Sequence, residues 1–164
     1  MSGQPNESPL LIAFARAASK AQEIEALLQE MLIAAEVAQD TKNRSFEDIA
    51  AEIEKLPLGK LKASYLDVVR VADPNFTKMW KEINEERIFL MHKFFNVFPI
   101  TSSADGPAEA AERLAKIDGL LDVGQRLLKD VRDRTYAGFN IPAAKFPAFL
   151  KFVIEQRKKR TPLE

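Results

Sequence analysis

The sequence predicts an all-α fold, an antiparallel bundle of about five to six helices. Along several long stretches, apolar residues recur at alternating spacings of three and four, the pattern of a helix with one buried face. No period-two stretch bounded by hairpin turns is present, so we expect no sheet. Apolar helix faces are usually covered by packing against other helices. With 164 residues, the chain can bury a full core, and we expect one domain spanning 9–160.

The amino-acid composition excludes several kinds of site. There are no cysteines and only one histidine, which excludes disulfides, thiolate nucleophiles and a metal site built from several histidines of one chain. We expect neither a metal nor a cofactor. Lys plus Arg number 24 and Asp plus Glu number 24, so the net charge is zero. Because no global field attracts nucleic acid, any contact with RNA or DNA must be local.

We expect neither a secretion signal nor a membrane span near the N-terminus. Residues 1–8 are polar and lack the basic and apolar regions of a secretion signal. The longest early apolar run, 10–15, is far short of the ~20 residues that a membrane span requires. We therefore expect a cytoplasmic protein without membrane association, with a disordered leader at 1–8 and a short tail at 161–164.

The first predicted helix begins at Ser8-Pro9, because serine caps free N–H groups and proline suits the first helical position. It is expected to end near Asp40. Its buried face would carry Phe14, Ala17, Ala21, Ile24, Leu28, Met31 and Ala35.

Two shorter helices are predicted next. After a polar loop at 41–44, the sequence Ser45-Phe46-Glu47-Asp48 resembles a capping box that opens a short helix, which Pro57 must end. A third helical piece is expected from Gly59 to about Ala72, where Asp73-Pro74 closes it.

A central helix is predicted from Asn75 to about Phe98. Its apolar stripe comprises Trp80, Ile83, Leu90, Phe94 and Val97. A turn-rich loop at 101–106 follows.

Two more helices complete the predicted bundle. In the first of these, Asp105 followed by Pro107 marks the start of the helix. It ends at Tyr136-Ala137-Gly138, where Gly138 suits a left-handed C-cap. Its buried face would carry Ala110, Leu114, Ile117, Leu121, Leu128 and Val131. The last helix follows Pro142 and runs to about Arg160.

One segment of the central helix carries residues suited to chemistry. The spacing of the apolar stripe places position 87 on it, and that position is an arginine. A guanidinium on an apolar stripe is costly to bury unless a carboxylate, a phosphate or a partner subunit satisfies it. His92 follows five residues later, about 140° further round a helix with 3.6 residues per turn. Histidine is the residue type that serves most often as a general acid or base, so His92 is the obvious candidate for that role here.

The spacing Arg87-x4-His92 on a long helix of an all-α bundle resembles the signature of the HEPN superfamily. The surroundings resemble a group of small bacterial HEPN-like proteins of unassigned role. They comprise Leu58-Gly59-Lys60-Leu61, a proline break, an acidic run into Glu86-Arg87 and a closing His92-Lys93-Phe94-Phe95.

The resemblance implies a homodimer in which two Arg/His pairs meet at the interface and form a metal-independent endoribonuclease site. His92 would deprotonate a ribose 2′-OH or protonate the 5′-oxygen leaving group, while Arg87 would hold the phosphate. Glu86, Lys93 and Asn84 are candidate supporting residues. A toxin-type protein of this kind would have RNA as its substrate and an antitoxin or another protein as its partner.

Simpler interpretations stand beside this hypothesis. Arg87 is equally explained by a structural ion pair with Glu82, Glu86 or an acid on a neighbouring helix, and His92 by packing against Phe89 or Phe95. The alternative function is then a non-catalytic helical dimerisation or scaffold module that binds a protein partner.

A cluster of cations near the C-terminus also has two interpretations. Its members are Arg157, Lys158, Lys159 and Arg160. They either complement the helix dipole or contact the phosphates of RNA, in which case affinity would fall steeply with salt.

Overall fold

A computed structural model describes residues 8–57, 60, 74–99, 108–138 and 140–160. In these ranges all regular structure is helical, which confirms the all-α class. The six helices are α1 (Pro9–Gln39), α2 (Phe46–Glu54), α3 (Pro74–His92), α4 (Phe94–Val97), α5 (Ala108–Gly138) and α6 (Phe146–Arg160).

Four of the predicted segments fall wholly or mainly outside the described residues. They are the leader, the helical piece from Gly59 to Ala72, the loop at 101–106 and the tail. Within the described ranges, none of the helices combines the length and the apolarity that crossing a membrane would require.

The chain divides into two compact units. The first comprises Met1–Gln22 and Asp73–Arg126, and the second comprises Glu23–Ala72 and Leu127–Glu164. Helices α1 and α5 therefore contribute residues to both units. The single domain expected over 9–160 stays a prediction.

Helix α1 has the predicted boundaries. It begins at Pro9, where the N–H of Ile12 donates to the carbonyl of Ser8 at 3.1 Å, and it ends at Gln39. The predicted apolar positions are buried, except Phe14, which is half-buried. In the second unit the buried surface of α1 extends to positions outside that pattern, namely Leu27, Glu30, Leu32, Ile33, Ala34 and Val37. A helix buried on most of its circumference is central to its own unit.

Helix α2 begins as its capping box predicts. The N–H of Asp48 donates to Ser45 Oγ at 3.1 Å, and this bond satisfies one of the free N–H groups of the first turn. The helix ends at Glu54, three residues before Pro57. The Phe46 ring contacts the rings of Phe149 and Phe152 of α6, with centroids 6.4 and 5.7 Å away. In this way α6 packs against α2 in the second unit.

A buried carboxylate joins α1, α2 and α6 in the second unit. The side chain of Asp40 is 1% exposed and accepts hydrogen bonds from Lys145 Nζ at 2.8 Å, Arg44 Nε at 3.1 Å and the Arg44 backbone N–H at 2.7 Å. Arg44 also pairs with Glu36 at 3.0 Å and Glu52 at 2.7 Å. The hydrogen bond from Lys145, assisted by those from Arg44, holds the pKa of the Asp40 carboxyl far below its usual range.

In the first unit, α1 and α5 run in the same direction. Leu10, near the start of α1, shares a cavity with Ala111, near the start of α5. Further along both helices, Lys20 Nζ lies 2.7 Å from Asp118 and 2.8 Å from Asp122. The expected antiparallel arrangement is therefore wrong for α1 and α5, which are joined by long connections. For the other helices it stays a prediction.

The central helix predicted over 75–98 is interrupted. Helix α3 ends at His92, and Lys93, with φ −126° and ψ −17°, separates it from the single turn of α4. Beyond the break, Phe94 is buried and its ring contacts those of Phe14, Phe89, Phe95 and Phe98 at centroid distances of 5.3 to 6.2 Å.

Because of this break, the prediction that one residue of the stripe is buried was wrong. Val97 was expected to lie on the buried stripe but is 55% exposed. The stripe assumed one uninterrupted helix. With α3 and α4 separated at Lys93, the spacing no longer applies beyond Phe94.

Candidate functional site

The predicted stripe of α3 forms the floor of the candidate site in the first unit. Trp80, Ile83 and Leu90 are at most 3% exposed, which confirms that this face of the helix is buried. Arg87 lies on the same face and is half-buried, with its Nε atom beneath the surface. Part of the Arg87 side chain is therefore buried within the first unit.

His92 is the last residue of α3 and is exposed. Its backbone carbonyl accepts a weak hydrogen bond from Asn96 Nδ2 at 3.4 Å. Within the described part of the chain, its imidazole makes no hydrogen bond or ion pair. The imidazole is therefore open to solvent and to an incoming substrate or partner.

Two exposed apolar side chains lie between Arg87 and His92 around the helix. Ile88 is 40% exposed and Met91 is 38% exposed. At about 100° per residue, Met91 is next to Arg87 around the helix, and Ile88 is next to His92. We call the surface formed by Arg87, Ile88, Met91 and His92 the α3 strip. In a single chain the strip separates the guanidinium from the imidazole, so the two groups lie on different sides of α3.

Glu86 binds Arg113 of α5, which was not among the predicted site residues. Both of its carboxylate oxygens lie 2.6 Å from Arg113 Nη2 of α5, and its side chain is 12% exposed. The Arg113 guanidinium also lies over the Phe89 ring, 5.0 Å from its centroid. Since Glu86 and Arg113 are 27 positions apart, no local spacing indicates this pair. In this arrangement Glu86 joins α3 to α5.

The other predicted supporting residues lie near the strip. Lys93 is exposed at the break between α3 and α4, and Asn84 is half-buried one turn before Ile88. On the same side of α3, the exposed Lys81 and Glu85 form a loose ion pair at 3.8 Å. Charged groups thus border the strip at both ends.

The predicted C-terminal cations belong to the last turn of α6, in the second unit. Lys158 is exposed. The side chains of Arg157, Lys159 and Arg160 fall outside the described residues. Arg87 and His92 belong to the first unit.

Chemically, the α3 strip offers an accessible imidazole and a guanidinium at the edge of the core. An imidazole can exchange protons near neutral pH, and a guanidinium can bind a phosphate or carboxylate through paired N–H donors. Among the described residues, no group of three or more His, Asp or Glu side chains is placed to hold a metal ion. No family model, no curated protein and no solved structure matches the chain.

Proposed function

We propose that the protein is a HEPN-like homodimer that binds RNA and cleaves it without a metal, using Arg87 and His92 at the dimer interface. The observation that carries this proposal is the α3 strip, where an accessible imidazole and a half-buried guanidinium flank two apolar side chains exposed to about 40%. A second copy covering Ile88 and Met91 would remove apolar surface from water. It would also add its own Arg87 and His92 to the same cleft.

The charges along α3 favour pairing with a second copy. Glu85 and His92 lie on the same side of the helix, at about 140° and 120° from Trp80, and the midpoint between these two residues lies between Ile88 and Phe89. If two α3 helices pack antiparallel about that midpoint, Glu85 of one copy faces His92 of the other. The two contacts are equivalent, as a two-fold interface requires.

The reaction would use both side chains in a single transesterification. One imidazole takes the proton from the ribose 2′-OH, and the resulting oxygen attacks the adjacent phosphorus. The bond to the 5′-oxygen breaks, and the second imidazole of the dimer gives that oxygen a proton. Arg87 offsets the negative charge that develops on the phosphate oxygens. The products are a 2′,3′-cyclic phosphate and a 5′-hydroxyl.

The direct test is cleavage of a mixed RNA pool by the purified protein in the presence of EDTA. We expect cyclic phosphate ends from the wild type and a loss of at least about 100-fold with His92→Ala or Arg87→Ala. Lys78→Ala is the matched control, because Lys78 is an exposed cation on the same helix, outside the strip. It should leave cleavage unchanged.

Dimer formation is tested separately by sedimentation equilibrium. Ile88→Glu should convert the dimer to a monomer and abolish cleavage, because it places two carboxylates at the centre of the proposed interface. Lys78→Glu, which also introduces a carboxylate on α3 but outside the strip, should leave the dimer intact. A wild type that stays monomeric at high concentration would refute the dimeric site.

A non-catalytic scaffold is the second candidate function, and the exposure of Ile88 and Met91 also favours it. A surface that binds only a protein partner needs apolar contacts but no imidazole. Because the imidazole is exposed, His92→Ala should shift the thermal midpoint by less than about 2 °C. A dimeric wild type without nuclease activity, whose dimer His92→Ala leaves intact, would favour the scaffold.

A further inference from the structure

A cavity of about 330 Å³ opens between the first halves of α1 and α5, within the first unit. Its volume is at the lower end of the range of ligand pockets, roughly 300–1,000 Å³. It shares no residue with the α3 strip. The lining residues are Pro9, Leu10, Ala13 and Arg16 from α1, and Ala111, Leu114, Ala115 and Asp118 from α5.

Most of the lining is apolar. Ala13, Ala111 and Ala115 leave space between the helices, because each contributes only a methyl group to the wall. Leu10 and Leu114, at 6% and 1% exposure, complete the lining on the core side. Such a surface favours hydrocarbon over water, so a fitting ligand has an apolar body.

Asp118 brings a negative charge to the cavity that one lysine offsets only in part. Lys20 Nζ donates to Asp118 Oδ2 at 2.7 Å and lies 2.8 Å from Asp122 Oδ1, so a single cation serves two carboxylates. Asp118 Oδ1 is buried and, in the part of the chain that the structure describes, accepts no hydrogen bond. A buried acceptor without a donor is unfavourable. Asp118 therefore favours a ligand that donates a hydrogen bond.

Arg16 brings a positive charge to the same end of the cavity. It lies one turn before Lys20 on α1, and Lys20 marks the level of Asp118 on α5. Arg16 is exposed and, among the described residues, makes no hydrogen bond or ion pair. Its guanidinium can therefore donate to an acceptor on the ligand. Arg16 and Lys20 together balance Asp118 and Asp122, so the four charges at this end sum to zero.

We propose that this cavity binds a small neutral molecule with an apolar body and a head that both donates and accepts hydrogen bonds, such as a primary carboxamide. The body fills the space beside the alanines. The Asp118 carboxylate turns about its soft Cβ–Cγ bond to accept from the amide N–H, and the amide oxygen accepts from Arg16. A carboxylate ligand would meet the like charge of Asp118, and an ammonium ligand would meet that of Arg16.

Three probes of similar size test this choice. Benzamide, benzoate and benzylammonium share a phenyl ring and carry a neutral, a negative and a positive head at neutral pH. Isothermal titration of the full chain should give an affinity for benzamide about tenfold above that for either ion. This is the difference expected for one mismatched polar contact.

Two substitutions at the charged end should shift the ratio of the two ion affinities in opposite directions. Arg16→Gln removes a positive charge, so benzylammonium should gain about tenfold relative to benzoate. Asp118→Asn removes a negative charge, so benzoate should gain about tenfold relative to benzylammonium. Asp122→Asn is the matched control, because it takes the same charge from Lys20 without changing the lining. It should shift the ratio by less than about threefold.

Filling the cavity supplies an independent variant. Ala115→Leu, at an exposed position that tolerates a larger side chain, should weaken the binding of all three probes. Lys116→Leu is its control, because Lys116 is the next residue of α5, is also exposed and does not line the cavity. Circular dichroism of each variant verifies that it is folded.

Four outcomes would overturn the proposal. They are an absence of benzamide binding, an ion that binds as tightly as benzamide, a ratio of ion affinities that neither Arg16→Gln nor Asp118→Asn changes, and unchanged benzamide binding in Ala115→Leu. The nuclease assay does not enter this test, so the two proposals can fail separately.

Discussion

At the scale of single residues, Asp40 shows how a buried charge is accommodated. Its carboxylate is 1% exposed, and Lys145, which holds it, is 13% exposed. A buried carboxylate is tolerated when cations and N–H donors replace the water that it loses. Lys145 is 105 positions away from Asp40 in the sequence, so no local spacing predicts this pair.

Removing the charge of Asp40 should destabilise the second unit. Asp40→Asn keeps the shape of the side chain but leaves Lys145 and Arg44 without the carboxylate that they share. We expect the thermal midpoint, followed by circular dichroism, to fall by about 5 to 15 °C. Asp130→Asn is the control, because Asp130 forms an exposed pair with Arg134 at 3.5 Å. The midpoint of this variant should stay within about 2 °C of the wild type. Equal midpoints for the two variants would contradict a stabilising role for Asp40.

The pKa of Asp40 also determines how stability depends on pH. Lys145 and Arg44 lower this pKa in the folded state, so the folded carboxyl binds a proton more weakly than the unfolded one, whose pKa is about 4. The contribution of Asp40 is therefore complete above that unfolded value and is lost as the pH falls towards the folded pKa.

Thermal unfolding at a series of pH values checks this dependence. The difference in midpoint between the wild type and Asp40→Asn should be largest near about pH 7 and should shrink as the pH is lowered below about 4. A difference that stays constant down to about pH 3 would show that the charge of Asp40 does not contribute.

At the scale of elements, α6 has one apolar face that is buried and another that is not. Phe149 and Val153 are each 6% exposed and face the second unit's core, whereas Phe146, Leu150 and Ile154 are 45 to 49% exposed. The apolar pattern of the sequence alone does not separate these two sets. The division depends on which side of α6 meets Phe46 of α2.

Two adjacent residues of α6 provide a test of this division. Phe149→Ala should lower the free energy of unfolding by about 3–5 kcal/mol, because it leaves a cavity beside Phe46. Leu150→Ala should cost less than about 1 kcal/mol, because the side chain is already 46% exposed. Urea denaturation measures both. Similar losses in the two variants would place a different face of α6 against the core.

The break between α3 and α4 shows which part of an element the sequence could predict. The boundaries of α1 and the cap of α2 follow from local chemistry, namely Ser8-Pro9 and Ser45, and both were predicted. At Lys93 there is no proline or glycine to indicate an interruption. The position of Phe94 depends instead on ring contacts with residues such as Phe14, which the chain brings near only when it folds.

At the scale of the whole molecule, the net charge of zero constrains how RNA would be bound. Because 24 cations are balanced by 24 acids, long-range attraction to RNA is absent and binding must use local groups. In sequence, the last turn of α6 concentrates four cations at 157–160.

Replacing Arg157, Lys158, Lys159 and Arg160 by Gln tests this contact. If these four cations bind phosphates, the RNA affinity measured by filter binding should fall. The slope of log affinity against log salt concentration should also become shallower, by up to about four. The control replaces the exposed cations Lys42, Lys55, Lys78 and Lys116 by Gln, which matches the change in net charge. Equal losses in the two variants would show that only the total charge matters.

The candidate site was predicted from the sequence in part. The burial of Trp80, Ile83 and Leu90 beside Arg87 follows from helical spacing and is confirmed. Arg113, which binds Glu86, was not predicted, because pairs of this kind join helices that are distant in sequence. The cavity beside Arg16 was not predicted either, since it arises from alanines on two helices that come together only in the folded chain.

The position of the one tryptophan provides an optical label for the first unit. Trp80 is buried in that unit, and both tyrosines, Tyr65 and Tyr136, belong by sequence position to the second. Indole emission excited at the red edge of its absorption band therefore reports when water reaches the interior of the first unit. Ellipticity reports the melting of helices throughout the chain. If the two signals change at different denaturant concentrations, the two units unfold in separate steps, without any dye or mutation being needed to reveal it.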